Sequence, residues 1–201
     1  SYVIERGRCV GLCRVLPTGA LTVGQKGEVL APFGELKRAG AVAVTDDGHW
    51  VKDSGLMRRA LEYARDHGVP VFTHAEDPGL SRGGSMHEGS VSTELGLAGL
   101  ARVSEDTAVA RDVMLCEYTG ARLHVCHVST TGSARTVREA RARGVPVTAE
   151  IAPHYFTLTH ESVRGYDTST KVSPPLREDG DVQALIEALR DGTASAIATD
   201  H

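Results

Sequence analysis

The sequence predicts an α/β fold, and within that class the greater part of a (β/α)8 TIM barrel. Short apolar runs alternate with helical segments, which is the pattern of a parallel sheet with helical crossovers. The same Gly-Val-Pro-Val junction between a helix and a strand occurs at residues 68–71 and 144–147. No glycine-rich phosphate-binding fingerprint follows a predicted strand, which favours the barrel over an open doubly wound sheet.

Six runs of strand length and several helical segments make up this pattern. The segment 53–68 has apolar residues at helical spacing, with Asp53 or Ser54 suited to begin the helix and Gly68 suited to end it. We expect one large domain over residues 1–201. The predicted strands are residues 9–18, 41–48, 69–77, 122–130, 145–153 and 195–201. The other predicted helices include residues 104–120, 136–144 and 181–192.

Composition and charge exclude several classes of function. The 201 residues are 41% hydrophobic and carry a formal net charge of −4, so no basic field attracts nucleic acid. The apolar runs are far shorter than the roughly 20 residues of a membrane-spanning helix, so we expect no membrane association. The four cysteines lack metal-binding spacing and are predicted to be buried thiols of a cytoplasmic protein. They are Cys9, Cys13, Cys116 and Cys126.

Polar side chains stand at the carboxyl ends of four predicted strands. They are Asp46, Asp47, His74, His127 and Asp200. The carboxyl ends of the strands in a (β/α)8 barrel meet at one mouth, where functional residues gather. Imidazole and carboxylate groups form a ligand set suited to Zn²⁺ or a similar divalent ion. The spacing does not decide between Asp46 and Asp47, and a DDG sequence alone is typical of a turn.

Strand alternation gives an expectation for side-chain direction. Residues two apart share a face, so His127 is expected to point into the barrel together with Leu123 and Val125. His124 and Cys126 are then expected to pack beneath the helices.

The last strand and the remaining polar residues are interpreted in the same way. Asp200 shares its predicted face with Ala196 and Ala198, whose small side chains suit a crowded barrel interior. A lone histidine at a strand end is more often a hydrogen-bonded residue than a ligand, so the metal prediction depends on the recurrence of such residues. Glu76 and Asp77 fit either loop caps or partners that orient a ligand histidine. Other histidines are predicted to be solvated or to cap helices: His49, His67, His87 and His160.

Six motifs, in their order along the chain, resemble a known family. They are VGLCRVLPTGALT, TDDG, THAED, HVCHVST, PPLR and IATDH. The sequence resembles the bacterial class I dihydroorotases of the amidohydrolase superfamily over nearly its whole length. The resemblance implies a metal-dependent amidohydrolase barrel domain, here about strands three to eight, with one or two Zn²⁺ ions. It also implies the reversible cyclisation of N-carbamoyl-L-aspartate to L-dihydroorotate in pyrimidine biosynthesis.

The resemblance also assigns roles to individual residues. Asp47 matches the carboxylate that bridges two metal ions, where related hydantoinases and dihydropyrimidinases use a carboxylated lysine. His74 and His127 match the ligands of the second metal ion. Asp200 matches a ligand of the first metal ion that also acts as general base and general acid. Ser173 stands where the family commonly has a substrate-binding asparagine, and its hydroxyl has a shorter reach and fewer donors.

Parts of the family pattern lie outside this chain. The His-x-His-x-Arg motif of the first barrel strand and a substrate-binding asparagine on the next would precede Ser1. A substrate-binding histidine would follow His201. We therefore expect an internal fragment of a longer protein that holds metal weakly and turns over poorly by itself.

Two alternatives stay open at this point. One is another cyclic amidase, namely a hydantoinase, dihydropyrimidinase or allantoinase. The other is an inactive dihydroorotase-like scaffold that binds aspartate transcarbamoylase, which the retained ligand residues disfavour. The expected partners are a small-molecule substrate and further copies of the chain in a homo-oligomer, and an active enzyme can also associate with aspartate transcarbamoylase.

Overall fold

The central feature of the fold is a sheet of six parallel strands. A computed structural model describes residues 2–200. The strands are β1 (Gly19–Ala20), β2 (Val44–Thr45), β3 (Val71–Thr73), β4 (Met86–His87), β5 (Gly99–Leu100), β6 (Leu123–Val125), β7 (Val147–Ile151) and β8 (Ala196–Ile197). The main sheet has the order β1-β2-β3-β6-β7-β8, and β4 pairs with β5 separately. Parallel strands in chain order with helical crossovers are the arrangement of a (β/α)8 barrel, so the predicted fold class is confirmed as a partial barrel.

The helices lie between the strands, as predicted. Asp53 begins the third helix, because its carboxylate accepts a hydrogen bond of 2.6 Å from the Leu56 amide. Gly68 ends that helix in the left-handed region, with φ of 61°. The helices are α1 (Tyr2–Val10), α2 (Phe33–Arg38), α3 (Ser54–His67), α4 (Pro78–Ser81), α5 (Ser90–Leu95), α6 (Val103–Thr119), α7 (Thr131–Ala142) and α8 (Asp179–Arg190). Short 3-10 helices cover Val23–Gln25, Pro153–Phe156, His160–Gly165 and Thr168–Thr170.

The hydrophobic core lies between one face of the sheet and the helices. Val71 and Leu123 are register neighbours in the sheet, and both are buried among apolar residues of α3, α6 and α7. The next row across the sheet is Phe72, His124 and Thr148, on the opposite face. Thr148 is exposed and Phe72 is half-buried. The face away from the helices is therefore the polar, interior side of the barrel arc.

The position predicted for the first strand is wrong. Residues 2–10 form α1, and Gly11 follows it with φ of 69°. Pairing with the neighbouring strand begins near Pro17, whose carbonyl accepts a hydrogen bond of 3.0 Å from the Val42 amide, and β1 itself begins at Gly19. Short apolar runs such as this one suit a helix as well as a strand, and periodicity alone does not separate the two.

Two predictions from composition can be compared with the structure. Cys116 and Cys126 are buried as predicted, but Cys9 and Cys13 are exposed. Cys9 belongs to α1, which buries none of its residues, and Cys13 follows that helix. All four are free thiols, and burial raises the pKa of the Cys116 thiol to about 12. Within residues 2–200, no helix combines the length and apolar character needed to cross a membrane.

Candidate metal centre

Three polar atoms from three strand ends form a small triangle on the interior side of the sheet. His74 Nδ1 lies 3.0 Å from His127 Nε2. Asp47 Oδ1 lies 3.4 Å from His74 Nδ1 and 3.5 Å from His127 Nε2. The two imidazoles are largely buried and the Asp47 side chain is 50% exposed. The structure therefore brings together three of the four residues predicted to hold metal.

The structure chooses between the two aspartates that the sequence left open. Asp46 is 4% exposed, and one of its oxygens accepts hydrogen bonds from the Leu21 amide at 2.8 Å and the Thr22 amide at 3.0 Å. The Thr22 hydroxyl donates to its other oxygen. Asp46 therefore fixes the segment after β1, and Asp47 is the residue that faces the two histidines.

The strand β3 places His74 by simple alternation. Thr73 points toward the helices, where its hydroxyl donates a hydrogen bond of 2.8 Å to Asp112 of α6. Phe72 and His74, on either side of it, are directed to the interior side. The alternation rule holds here because the chain stays extended up to the ligand.

The same rule fails on β6: His127 reaches the interior as predicted, but the directions predicted for Leu123, Val125 and His124 were wrong. Leu123 and Val125 point into the helix-side core, whereas His124 lies on the interior side against Phe72, with ring centroids 4.6 Å apart. His127 reaches the interior because β6 ends at Val125 and His127 adopts a left-handed backbone, with φ of 35°. Period-two alternation ends where the extended backbone ends.

The electrostatics of the triangle favour a bound cation. Hydrogen bonding from His127, and then from His74, holds the pKa of Asp47 well below its usual value. Burial is the largest single effect and by itself would lower the pKa of His127, but the hydrogen bond and charge of Asp47, together with the charges of Asp200 and Glu105, outweigh it and leave that pKa raised. The raised pKa favours a proton on His127 beside the Asp47 carboxylate. A metal ion would displace that proton.

The donor set and its spacing fit a divalent transition metal. Two ligand atoms of a tetrahedral Zn²⁺ lie about 3.4 Å apart, given metal–ligand distances near 2.1 Å. The three separations within the triangle are 3.0, 3.4 and 3.5 Å. Two imidazole nitrogens with a carboxylate oxygen are ligands that zinc accepts, and a fourth position stays free for water or substrate.

A second cluster of the same composition does not fit a metal. His87, His160 and Glu178 have potential ligand atoms within 4.8 Å of one another. However, Arg177 Nη1 lies 3.3 Å from His87 Nδ1, and as a guanidinium it can only donate, so the proton of neutral His87 sits on Nε2. Arg102 also binds Glu178. Burial, reinforced by Arg177, lowers the pKa of His87 to about 4.

The positions of these two histidines also correct a prediction. His87 and His160 were expected to be solvated or to cap helices, but they are 1% and 7% exposed. The segment after β3 forms the small β4–β5 sheet, and His87 is buried as a residue of β4. Nothing in the local sequence marks that burial.

A third cluster, His124, Cys126 and Glu150, is already satisfied internally. His124 Nδ1 lies 2.8 Å from the Thr148 hydroxyl, and His124 Nε2 lies 3.2 Å from Glu150. Burial raises the pKa of the Cys126 thiol above its ordinary range, so the sulfur stays protonated. The prediction that Cys126 is a small buried residue is confirmed. Within residues 2–200, the Asp47 triangle differs from these two clusters, because its three members are not paired with an arginine and include no thiol.

Two predicted site residues lie outside the triangle. Asp200 follows β8, is exposed and has φ of 55°. Its charge contributes to the raised pKa of His127, which places it in the electrostatic neighbourhood of the triangle. Ser173 is exposed in the segment before α8. Within residues 2–200, no hydrogen bond or ion pair joins Asp200 or Ser173 to the triangle, so their roles stay predictions.

The sequence analysis missed three groups of residues that hold the site loops, and all involve α6. Asp112 accepts a hydrogen bond of 3.0 Å from the Trp50 indole, just beyond Asp47 in the chain, besides the one from Thr73. Glu105 binds the turn after His127. The Ser104 carbonyl accepts a hydrogen bond of 2.9 Å from the Asp77 amide, in the loop after His74.

One signal could have identified part of this set. Asp112 stands among apolar residues on the buried face of α6, and a carboxylate in such a position needs a buried partner.

Asp77 itself is a loop cap, since its side chain accepts a hydrogen bond of 2.7 Å from the Gly79 amide.

The chain is similar in sequence to known proteins. The sequence profile of the dihydro-orotase-like family matches residues 2–133. The chain is 60% identical over 200 residues to the dihydroorotase of Pelobacter propionicus, covering 100% of this chain and 47% of the relative. It is 58% identical over 201 residues to the dihydroorotase of Syntrophobacter fumaroxidans, covering 100% of this chain and 46% of the relative. The chain thus spans about half the length of these curated relatives.

A solved structure supports the fold. The L-hydantoinase (dihydropyrimidinase) of Arthrobacter aurescens matches with a TM-score of 0.76 and 22% identity, over 98% of this chain and 46% of that one. At this level of identity the match concerns the fold alone. With the family profile covering most of the sequence, the chain belongs to the dihydro-orotase-like family.

Proposed function

We propose that residues 1–201 are part of the metal-dependent amidohydrolase domain of a dihydroorotase. The reaction is the reversible, zinc-dependent cyclisation of N-carbamoyl-L-aspartate to L-dihydroorotate, a step of pyrimidine biosynthesis. The single observation that carries the proposal is the convergence of Asp47, His74 and His127, from three strand ends, within 3.5 Å of one another. The identity of 60% with a dihydroorotase favours this reaction over those of other cyclic amidases.

The site residues of the chain would have three roles: metal binding, proton transfer and substrate binding. Asp47, His74 and His127 would hold one Zn²⁺ ion, and Asp200 would be a ligand of the other ion where two are bound. When bound, Zn²⁺ supplies a Lewis acid that activates water and polarises a carbonyl near neutral pH. Asp200 accepts the proton that water loses during attack on the ring amide carbon and delivers it to the ring nitrogen as the C–N bond breaks. In the synthetic direction, Asp200 takes the proton from the amide nitrogen as the C–N bond forms and gives it to the departing oxygen, which leaves as water. Ser173 donates a hydrogen bond to the substrate.

The proposal extends to setting and partners. Four free thiols suit a reducing cytoplasm, which is where we place the protein. The substrate is a small cyclic amide or its open acid. Further copies of the chain, in a homo-oligomer, are the expected protein partner, and association with aspartate transcarbamoylase is compatible with catalysis.

The test uses a protein that carries this chain within the full length of its relatives. Rates are measured on dihydroorotate, hydantoin and allantoin after chelation and again after addition of Zn²⁺. We expect turnover of dihydroorotate that chelation abolishes and Zn²⁺ restores, with hydantoin and allantoin turned over far more slowly. Faster turnover of hydantoin or allantoin would assign another cyclic amidase, and a protein that is inactive and metal-free would assign the scaffold function.

A further inference from the structure

We propose that Glu105 is a positioning residue that directs His127 onto the metal triangle. Glu105 lies in the first turn of α6, 3% exposed, and its carboxylate faces the turn that follows His127. The proposed function uses neither Glu105 nor Arg177, which lies against it. The link to metal binding rests on the proposed function, whereas the effect on the backbone of His127 does not.

The backbone at His127 needs an external restraint. Its φ of 35° lies in the left-handed region, which residues with a Cβ rarely adopt. In an extended conformation, His127 would follow Leu123 and Val125 toward the helix-side core, away from Asp47. The left-handed conformation is thus the structural reason that Nε2 of His127 lies 3.5 Å from Asp47 Oδ1.

Glu105 supplies that restraint through Ser129 and Thr130, the second and third residues after His127. Glu105 Oε1 accepts hydrogen bonds from the Ser129 amide at 3.0 Å, the Thr130 amide at 3.2 Å and the Thr130 hydroxyl at 3.2 Å. The Ser129 hydroxyl donates to Oε2. Because two successive backbone amides bind one carboxylate oxygen, the path of the chain is fixed at the second and third residues after His127. Because Thr130 also caps α7, the turn is held at both ends.

Arg177 completes the arrangement from a distant part of the chain. It is 2% exposed, its Nη2 lies 3.5 Å from Glu105 Oε2, and its Nε donates a hydrogen bond of 3.0 Å to the Ser129 hydroxyl. A buried carboxylate needs a compensating charge, and Arg177 provides it. The PPLR motif therefore contributes the arginine that keeps Glu105 in place.

The experiment compares two buried carboxylates that bind the same loop. Glu105→Gln keeps the size of the side chain but replaces one acceptor oxygen with a donor. Asp181→Asn is the matched control, because Asp181 is 1% exposed and accepts hydrogen bonds of 2.9 Å from the amide and hydroxyl of Thr131, further from His127. A protein that carries this chain within the full length of its relatives is titrated with Co²⁺, whose visible absorption reports imidazole coordination, and thermal unfolding is recorded for each variant.

We expect Glu105→Gln to weaken Co²⁺ binding by about 10- to 100-fold, the range for groups that orient metal ligands. Asp181→Asn should leave Co²⁺ affinity within about twofold of that of the unmodified protein, even if it lowers the melting temperature as much as Glu105→Gln does. Equal losses in both variants, or an unchanged Co²⁺ affinity in a folded Glu105→Gln chain, would overturn the proposal. If Glu105→Gln fails to fold, Ser129→Ala removes one of the four bonds, and we expect about fivefold weaker binding. Unchanged affinity in that variant would overturn the proposal.

A crystal structure of Glu105→Gln separates this proposal from the proposed function. We expect His127 to leave the left-handed region and its Nε2 to move away from Asp47. A His127 backbone unchanged in the variant would refute positioning, whatever the metal result. If the unmodified chain binds no Co²⁺, the metal centre of the proposed function is in doubt, and the crystal structure still decides the role of Glu105.

Discussion

Two clusters in this molecule have the same composition, two histidines and a carboxylate, but opposite surroundings. In the Asp47 triangle the donors face one another across 3.0 to 3.5 Å, and the nearby Asp200 is an additional anion. In the His87 cluster, Arg177 donates toward one histidine and Arg102 binds the carboxylate. The first cluster attracts a cation, and the second already contains two guanidinium cations.

The difference shows that ligand type and spacing alone do not define a metal site. The identity of the neighbours fixes which ring nitrogen carries the proton, and only a nitrogen with a free lone pair can bind metal. In neutral His87 the nitrogen with the free lone pair is Nδ1, and it accepts from Arg177. Substitutions of matched residues in the two clusters test this contrast.

The largest expected effect concerns turnover, and it compares the carboxylates associated with the two clusters. In a protein of the relatives' full length, Asp200→Asn should lower kcat by about 10²- to 10⁴-fold, because the proton shuttle is lost. The variant should still bind metal, because Asp47, His74 and His127 are unchanged. Glu178→Gln should leave kcat near that of the unmodified enzyme, since Glu178 faces Arg102 and His87. Near-normal rates for Asp200→Asn would remove Asp200 from this role.

Metal affinity should separate the two sets of histidines. His127→Asn removes a donor from the triangle and should weaken Zn²⁺ binding by more than about 100-fold, the upper range for residues that only orient ligands. His87→Asn should bind Zn²⁺ as the unmodified chain does. Competition with a chelator of known affinity measures both. A similar loss in the two variants would show that the His87 cluster also binds metal.

The His87 cluster should instead affect how the free energy of unfolding depends on pH. Its folded pKa of about 4 lies below the ordinary value of 6.5, so the unfolded chain binds the proton more readily. Stability from neutral His87 is therefore fully present above pH 6.5 and falls between about pH 6.5 and pH 4, by roughly 3 kcal/mol. Urea unfolding at several pH values measures the slope, and His87→Asn should flatten it. An equally steep slope in the variant would assign the pH dependence to other groups.

The smallest expected effect concerns Ser173. Ser173→Ala in the full-length enzyme should raise KM for dihydroorotate by about two- to tenfold, the range for one lost hydrogen bond, with kcat little changed. Ser169→Ala is the control, because Ser169 is another exposed serine of the same segment. Equal KM values for Ser173→Ala and the unmodified enzyme would remove Ser173 from the substrate site.

The strand-end logic identified the triangle because it depends only on topology. Parallel strands place their carboxyl ends together, so His74, His127, Asp200 and one of Asp46 and Asp47 could be grouped from the sequence. Side-chain direction was less predictable. Alternation describes the direction of His74, which follows directly on β3, but it gave the wrong directions for Leu123, Val125 and His124, because it was extended past Val125 into a turn.

Long-range burial accounts for what the sequence could not show. Glu105 and Arg177 are far apart in the chain, and each alone resembles an ordinary charged surface residue. Only the packing of α6 against the segment before α8 makes them a buried pair. The burial of His87 depends in the same way on a small sheet formed within one loop.

The position of α6 has a consequence for how the site opens. Ser104, Glu105 and Asp112 tie this one helix to the segments that follow or precede all three triangle residues. Amide hydrogens in those segments should therefore exchange with solvent deuterium at a shared opening free energy, as one cooperative unit. The three donors would then be lost together when α6 detaches, and a destabilised chain would release its cation in a single step.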